Sequence, residues 1–278
     1  MIDTTFARVL AGTDGSPRAE EAARQAARLA RALGASLEIA FVVDTSEPHG
    51  EDVEAEAEAA LARAAALASA VGVSADTRVL AGAPASTLVE EAATHGVDLL
   101  CVGPDAGVLG GAIKVGQVAA HVVGQAHCSV LLAREAGADF PRRIECGVDG
   151  SEGSAATAGV AAILAAATHA ELRLLHVIPV FRGDNAEWTL GESEPSPKEL
   201  EASVAAAVSR GVTPVREMAM GRPEAALVAA AGRDETDLVV VGHRGISGVT
   251  RVVLGSVSEY VTNHARCSVL VARPPSAG

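Results

Sequence analysis

The stretch Val102–Arg134, VGPDAGVLGGAIKVGQVAAHVVGQAHCSVLLAR, aligns without a gap on Val241–Arg273, VGHRGISGVTRVVLGSVSEYVTNHARCSVLVAR, with 12 of 33 positions identical. Working backwards, the beginnings of the two copies also correspond. Gly12-Thr13-Asp14-Gly15-Ser16 matches Gly147-Val148-Asp149-Gly150-Ser151. The offset grows from 135 at the start to 139 at the end, so the second copy carries about four extra residues, expected near Phe181–Pro197 because insertions collect in loops. Self-similarity on this scale means a duplicated domain rather than a solenoid of short repeats.

Each copy reads as the same alternation of strand and helix. An apolar strand (Arg8–Ala11; Ile144–Val148) meets a Gly/Asp/Ser turn and an Ala-rich helix (Pro17–Leu33; Gly153–Thr168), which Pro17 starts in the first copy. A β-branched strand follows (Leu37–Val43; Leu172–Ile178), then a helix (Glu51–Ala70; Pro197–Arg210) and a strand (Ser74–Leu80; Thr213–Met220). A third helix (Pro84–His95; Pro223–Gly232) leads to a fully apolar strand (Leu99–Val102; Leu238–Val241), a glycine-bearing loop, a last helix (Gly116–Ala126; Gly255–Ala265) and a last strand (Val130–Ala133; Val269–Ala272). Strands alternating with helices predict an α/β fold. It consists of two tandem doubly wound domains, each with a five-stranded parallel sheet flanked by helices. The domains are expected at 1–136 and 141–278, joined through Glu135–Arg142.

Composition fits this architecture. The chain of 278 residues is 49% hydrophobic but only 2% aromatic, so its cores must be built from Ala, Val, Leu and Ile. No apolar run approaches the roughly 18 residues that span a bilayer, and Met1–Phe6 lacks the features of a secretory signal, so a cytoplasmic protein is expected. Cys101, Cys128, Cys146 and Cys267 show no metal-binding spacing and read as small buried hydrophobes. A net charge of −13 argues against nucleic acid or an anionic membrane as partner. The charge is uneven: residues 1–139 carry 9 Lys/Arg and 19 Asp/Glu, residues 140–278 carry 13 and 16. An anionic ligand meets less repulsion in the second half.

The second copy's fourth strand runs into Gly242-His243-Arg244-Gly245, then nine residues, then Gly255-Ser256 opening a helix. The glycines permit close approach of backbone N–H groups, and a helix N-terminus adds unpaired donors, a positive dipole end and a hydroxyl. Arg244 and Arg251 supply positive charge inside the loop. That combination suits a polyphosphate at the carboxyl edge of an open sheet.

G-x2-G-x9-G-S after the fourth strand, with the G-x-D-G-S turn after the first and the CSVLVAR ending, resembles the ATP-binding branch of the universal stress protein family. The resemblance implies an ATP-binding stress-response regulatory protein. Asp149 and Val177 would lie near adenine and ribose, with Val241 and Gly242 beneath the nucleotide. Gly245, Gly255, Ser256 and Val257 would hold the phosphates. Mg²⁺ would accompany ATP, although no carboxylate cluster to hold it is evident. Read from the residues alone, Asp149 is equally a cap of the following helix, and Ser256 a helix cap.

The first copy departs from this pattern. Gly103 and Gly116 persist, but Ala106 stands at the place of Gly245 and Gln117 at that of Ser256. Pro104 removes an N–H, and Asp105 puts a negative charge where phosphate would lie. This copy is expected to bind nucleotide weakly or not at all, even though Asp14 is retained.

Two other readings stay open: an enzyme cleaving ATP slowly, and a nucleotide-free interaction protein. No GxxxxGK[ST] loop and no paired carboxylates adjoin the glycine loop. His243 reads as a loop residue facing solvent or phosphate, and His176 as a packed residue flanking the ligand. The apolar last strands of the two copies are expected to pair within the chain as a pseudo-dimer, with homodimerisation and an unidentified protein partner left open. The segment Phe181–Pro197, holding Trp188, reads as a lid or a plain connector.

Overall fold

Apolar strands that carry no alternation need cover on both faces, and Ala-rich helices provide it. In the computed structural model every residue is described except 1–5, 47–51, 105–107, 110–111, 114, 183–187, 191–197, 234, 244–253 and 274–278. Two compact units result, the first built on Met1–Ala136 and the second on Gly137–Ala272.

The first unit runs β1 (Arg8–Thr13), α1 (Pro17–Leu33), β2 (Ser36–Asp44), α2 (Val53–Ala70), β3 (Ala75–Gly82), α3 (Pro84–Thr94) and β4 (Leu99–Val102). A short antiparallel pair, β5 (Val108–Leu109) and β6 (Ala112–Ile113), precedes α4 (Gln117–Gln125) and β7 (Ser129–Leu132). Its parallel strands lie in the order β3-β2-β1-β4-β7. The second unit runs β8 (Arg143–Val148), α5 (Glu152–Thr168), β9 (Glu171–Arg182), β10 (Trp188–Leu190), α6 (Lys198–Val208), β11 (Val215–Gly221), α7 (Pro223–Ala231), β12 (Leu238–Gly242), α8 (Ser256–His264) and β13 (Ser268–Ala272). The order β11-β9-β8-β12-β13 repeats that of the first unit, again parallel. The expected pair of doubly wound five-stranded domains is what forms.

Helices cover both faces of each sheet: α1 packs with α2 and α3 with α4, and α5 with α6 and α7 with α8. The largest fully buried side chains are Leu10, Leu29, Ile39, Leu99, Leu100, Leu131 and Leu132 in one unit, and Ile144, Leu164, Leu172, Leu174 and Leu238 in the other, filled in by alanines. All four cysteines are buried and outside any disulfide, and burial pushes the Cys128 thiol up to about 11.

Duplicated local devices set the element ends. Ser16 caps α1 and Ser151 caps α5, each hydroxyl accepting from the backbone N–H three residues on. The carboxylate before the fourth strand ties it to the first. Asp98 accepts from the N–H groups of Ala7 and Arg8 at 2.8 and 2.9 Å, and Asp237 accepts from those of Arg142 and Arg143 at 2.7 and 3.2 Å. Gly12 faces Leu88 of α3, and Gly147 faces Leu227 of α7. A Cβ at either glycine would come within 2.8 and 2.9 Å of the leucine methyl, so both helices rest directly on the sheet.

Two features depart from expectation, and a third distinguishes the two copies. Part of the segment expected as a lid or connector is strand: β10 pairs antiparallel with the end of β9, Trp188 opposite Arg182. The remainder, 183–187 and 191–197, lies outside the described residues. The β5–β6 pair inside the first copy's glycine loop was also unanticipated. Finally, α1 ends on Gly34 at φ 67°, whereas α5 ends on His169 at φ 58°, a left-handed conformation without glycine.

Candidate functional site

In both sheets the chain reverses its direction of travel between the first and fourth strands, which leaves a crevice at their carboxyl ends. In the second unit these strands are β8 and β12, paired in parallel with Val240 opposite Cys146. Beyond β8 come Asp149, Gly150 and Ser151; beyond β12 come His243 and the loop leading to α8. Topology therefore brings Asp149, Val241, Gly242 and the start of α8 to one edge, with Val177 following His176, the partner of Val148 in β9.

Asp149 is not the helix cap. Its Oδ1 accepts from the Ser151 N–H at 3.0 Å and from the Ser151 hydroxyl at 2.6 Å. The Ser151 hydroxyl oxygen in turn accepts from the Ser154 N–H at 3.1 Å and caps α5. The carboxylate thus braces the capping serine, and Gly150 makes the turn at φ 80°. In the first unit Asp14 Oδ1 accepts from the Ser16 N–H at 2.9 Å. Both aspartates are half-buried or exposed beside their cap, so the turn and a ligand contact are compatible at Asp149.

Ser256 is not a cap either. The cap position of α8 is Gly255, and among the described residues no side chain caps this helix. Gly255 N–H donates to the His243 carbonyl at 3.0 Å, which ties the loop's end back to its beginning. The Glu259 N–H is the first to donate back into the helix, to the Gly255 carbonyl at 2.8 Å. The N–H groups of the first turn, with the exposed Ser256 and half-buried Val257, consequently lie at a positive helix end that no described side chain caps. Ser258 in the same turn is buried, and its hydroxyl donates to the Gly242 carbonyl. That bond pins the helix start against β12; a serine two residues past Ser256 gave no distinguishing signal in sequence.

The floor is apolar: Val177 and Val241 are buried, as is Val148. His176 is buried beside them, its Nδ1 3.0 Å from the Val148 carbonyl. Because a carbonyl only accepts, Nδ1 carries the proton, which fixes the ring by backbone contact. Gly245, Arg244 and Arg251 fall outside the described residues. The first unit keeps the frame: Gly116 is the cap position of α4, which no described side chain caps, and its N–H donates to the Pro104 carbonyl at 3.0 Å. Here Gln117 opens the helix instead of serine, and the loop positions Asp105, Ala106 and Gly107 lie outside the described residues.

Among the described residues no group of three His, Cys, Asp or Glu side chains could hold a metal ion, and no helix is long and apolar enough to cross a membrane.

The model of the universal stress protein family matches twice, over residues 5–134 and 141–273. A universal stress protein of Methanocaldococcus jannaschii is 34% identical over 146 residues, covering 50% of this chain and 86% of that protein. One from Synechocystis is 42% identical over 59 residues, 21% of this chain and only 55% of its relative. Across the whole chain, the crystal structure of a universal stress protein from Archaeoglobus fulgidus superposes with a TM-score of 0.74. It is 18% identical and covers 98% of this chain and 99% of its own. At that identity the likeness speaks for the fold.

Proposed function

The chain belongs to the universal stress protein family, and from that premise we propose that it is a stress-response regulatory protein that binds an adenine nucleotide, ATP, in its second domain. The domains are taken as 1–136 and 141–278. One observation carries the reading: the N-terminus of α8, which no described side chain caps, opens at the carboxyl edge of β12, next to β8, whose end runs into Asp149. Phosphate is the ligand that such a helix end favours, through unpaired N–H donors and the dipole.

In this reading Asp149, held by Ser151, accepts from the ribose or the adenine amino group, and Val177 and Val241 give the purine an apolar surface. Gly242 lies with Val241 beneath the nucleotide, and Gly245, Gly255, Ser256 and Val257 hold the phosphates, with Mg²⁺ carried mainly by ATP and water. The first domain, with Gln117 for Ser256, keeps the scaffold without the hydroxyl.

The test is a calorimetric titration of ATP, ADP and AMP, with GTP for comparison, into the full chain. Adenine nucleotides are expected to bind, GTP more weakly, and Ser256→Ala to lower ATP affinity by roughly tenfold, the scale of one hydrogen bond to a charged group. Absence of any adenine nucleotide binding at millimolar concentration contradicts the proposal.

A further inference from the structure

One face of the second sheet carries an ion cluster that, among the described residues, has no counterpart of the same composition in the first. Strand alternation places Arg143 and Glu145 of β8, Glu171 and Arg173 of β9 and Glu217 of β11 on the same side, since Glu145 pairs with Arg173 and Val215 with Arg173 across the sheet. It is the side covered by α7, because Gly147, two residues after Glu145, meets Leu227. Arg233 and Glu235 join from just past the end of α7, whereas β12 contributes only apolar Val239 opposite Glu145.

Every arginine in the cluster is engaged by a carboxylate other than Glu145. Glu217 receives Arg173 through one oxygen and Arg233 through the other, both at 2.6 Å. Arg173 also donates to Glu171, and Arg143 pairs with Glu235 and, at 3.5 Å, with Glu171. Glu145 is 0% exposed, and among the described residues neither of its oxygens has a hydrogen-bond partner. Its nearest cation is Arg233, 3.7 Å away and already held by Glu217. Three arginines face four glutamates; Glu171 and Glu235 reach solvent, Glu217 holds two arginines, and Glu145 is the buried one without a described donor. In the first unit the corresponding residue is Leu10, equally buried.

We propose that Glu145 is a proton-dependent latch between β8 and the end of α7: neutral, it lets the helix close on the sheet; ionised, it loosens that end, in the second unit alone. Burial, and then the charge of Glu217, push its carboxyl up to about 7, against the pull of Arg233, Arg173 and Arg143. A buried charge without hydrogen bonds is costly, and the ways to relieve it are to admit water or to draw Arg233 away from Glu217. The latch is therefore closed below neutrality and released above it. The inference is independent of any nucleotide.

The test is hydrogen exchange of the full chain at pH 6 and pH 8, corrected for the intrinsic pH dependence of exchange. Amides at the end of α7 should lose protection by roughly tenfold at the higher pH, a change worth one pKa unit, while those of α3 in the first unit stay level. Glu145→Gln and Glu145→Leu should keep α7 equally protected at both. Wild-type protection that does not change, or the same loss in Glu145→Gln, overturns the proposal. A carboxyl carbon titration of the wild type by NMR needs no variant: Glu145 should titrate near neutrality, and titration in the ordinary glutamate range overturns it.

Discussion

Asp149 and Ser151 form a closed pair in which one carboxylate oxygen accepts both the backbone N–H and the hydroxyl of the serine, at 3.0 and 2.6 Å, while that serine caps α5. The pair couples helix stability to the orientation of the side chain proposed to meet the nucleotide. Ser151→Ala removes the cap and the brace together. It is expected to cost about 1–2 kcal/mol in chemical denaturation and to weaken ATP binding as well. Ser16→Ala in the first unit should lower stability by a similar amount and leave binding unchanged.

The two equivalent helix ends offer an internal comparison. His169 adopts φ 58° where the first unit has Gly34 at φ 67°. His169→Gly relieves the left-handed penalty and is expected to stabilise by up to about 1 kcal/mol, after the entropy cost of glycine. Gly34→Ala should destabilise by about 1 kcal/mol; no atom lies within 4 Å of the added Cβ, so the cost is backbone strain alone. Denaturant midpoints of the two variants check the opposite signs.

Contact between Gly147 and Leu227 sets how close α7 lies to β8. A methyl at Gly147 would come 2.9 Å from one Leu227 methyl and 3.1 Å from the other. Gly147→Ala is expected to cost about 1–2 kcal/mol through overpacking. Adding Leu227→Ala should give less than the sum of the two single losses, with a coupling above about 0.5 kcal/mol.

Glu145 gives stability a pH dependence of defined sign. Its carboxyl is raised to about 7 in the folded chain from an ordinary 4.5. The folded state therefore holds the proton more tightly, and this group's contribution is full below about pH 4.5 and is lost as pH rises through about 7. The loss amounts to about 3 kcal/mol at most. Glu145→Leu, the residue of the first unit, should flatten that part of the profile and raise stability at pH 8. Denaturation curves from pH 5 to 8 make the comparison.

Sequence made the architecture legible because the duplication supplied each element twice. Leu99–Val102 and Pro17–Leu33 begin and end where their residue patterns say they do. What it did not reveal depends on contacts between distant residues. The string Asp-Gly-Ser looks the same whether the aspartate or the serine caps, and only the bond from Ser154 to Ser151 decides. Likewise, Gly255 rather than Ser256 holds the cap position because its carbonyl accepts the Glu259 N–H, the first bond of the helix. Glu145 reads as one polar residue in an apolar strand; its isolation follows from Glu217 taking both neighbouring arginines. Trp188–Leu190 became a strand because β9 extends past its expected end and offers a partner.

Only one of the two domains is proposed to hold nucleotide, and the binding stoichiometry decides it. Mg-ATP titrated calorimetrically into the full chain, Gly245→Val and Asp14→Ala should show one site per chain, abolished by Gly245→Val and unchanged by Asp14→Ala. Two equal sites per chain, or a single site that survives Gly245→Val and disappears in Asp14→Ala, would contradict it.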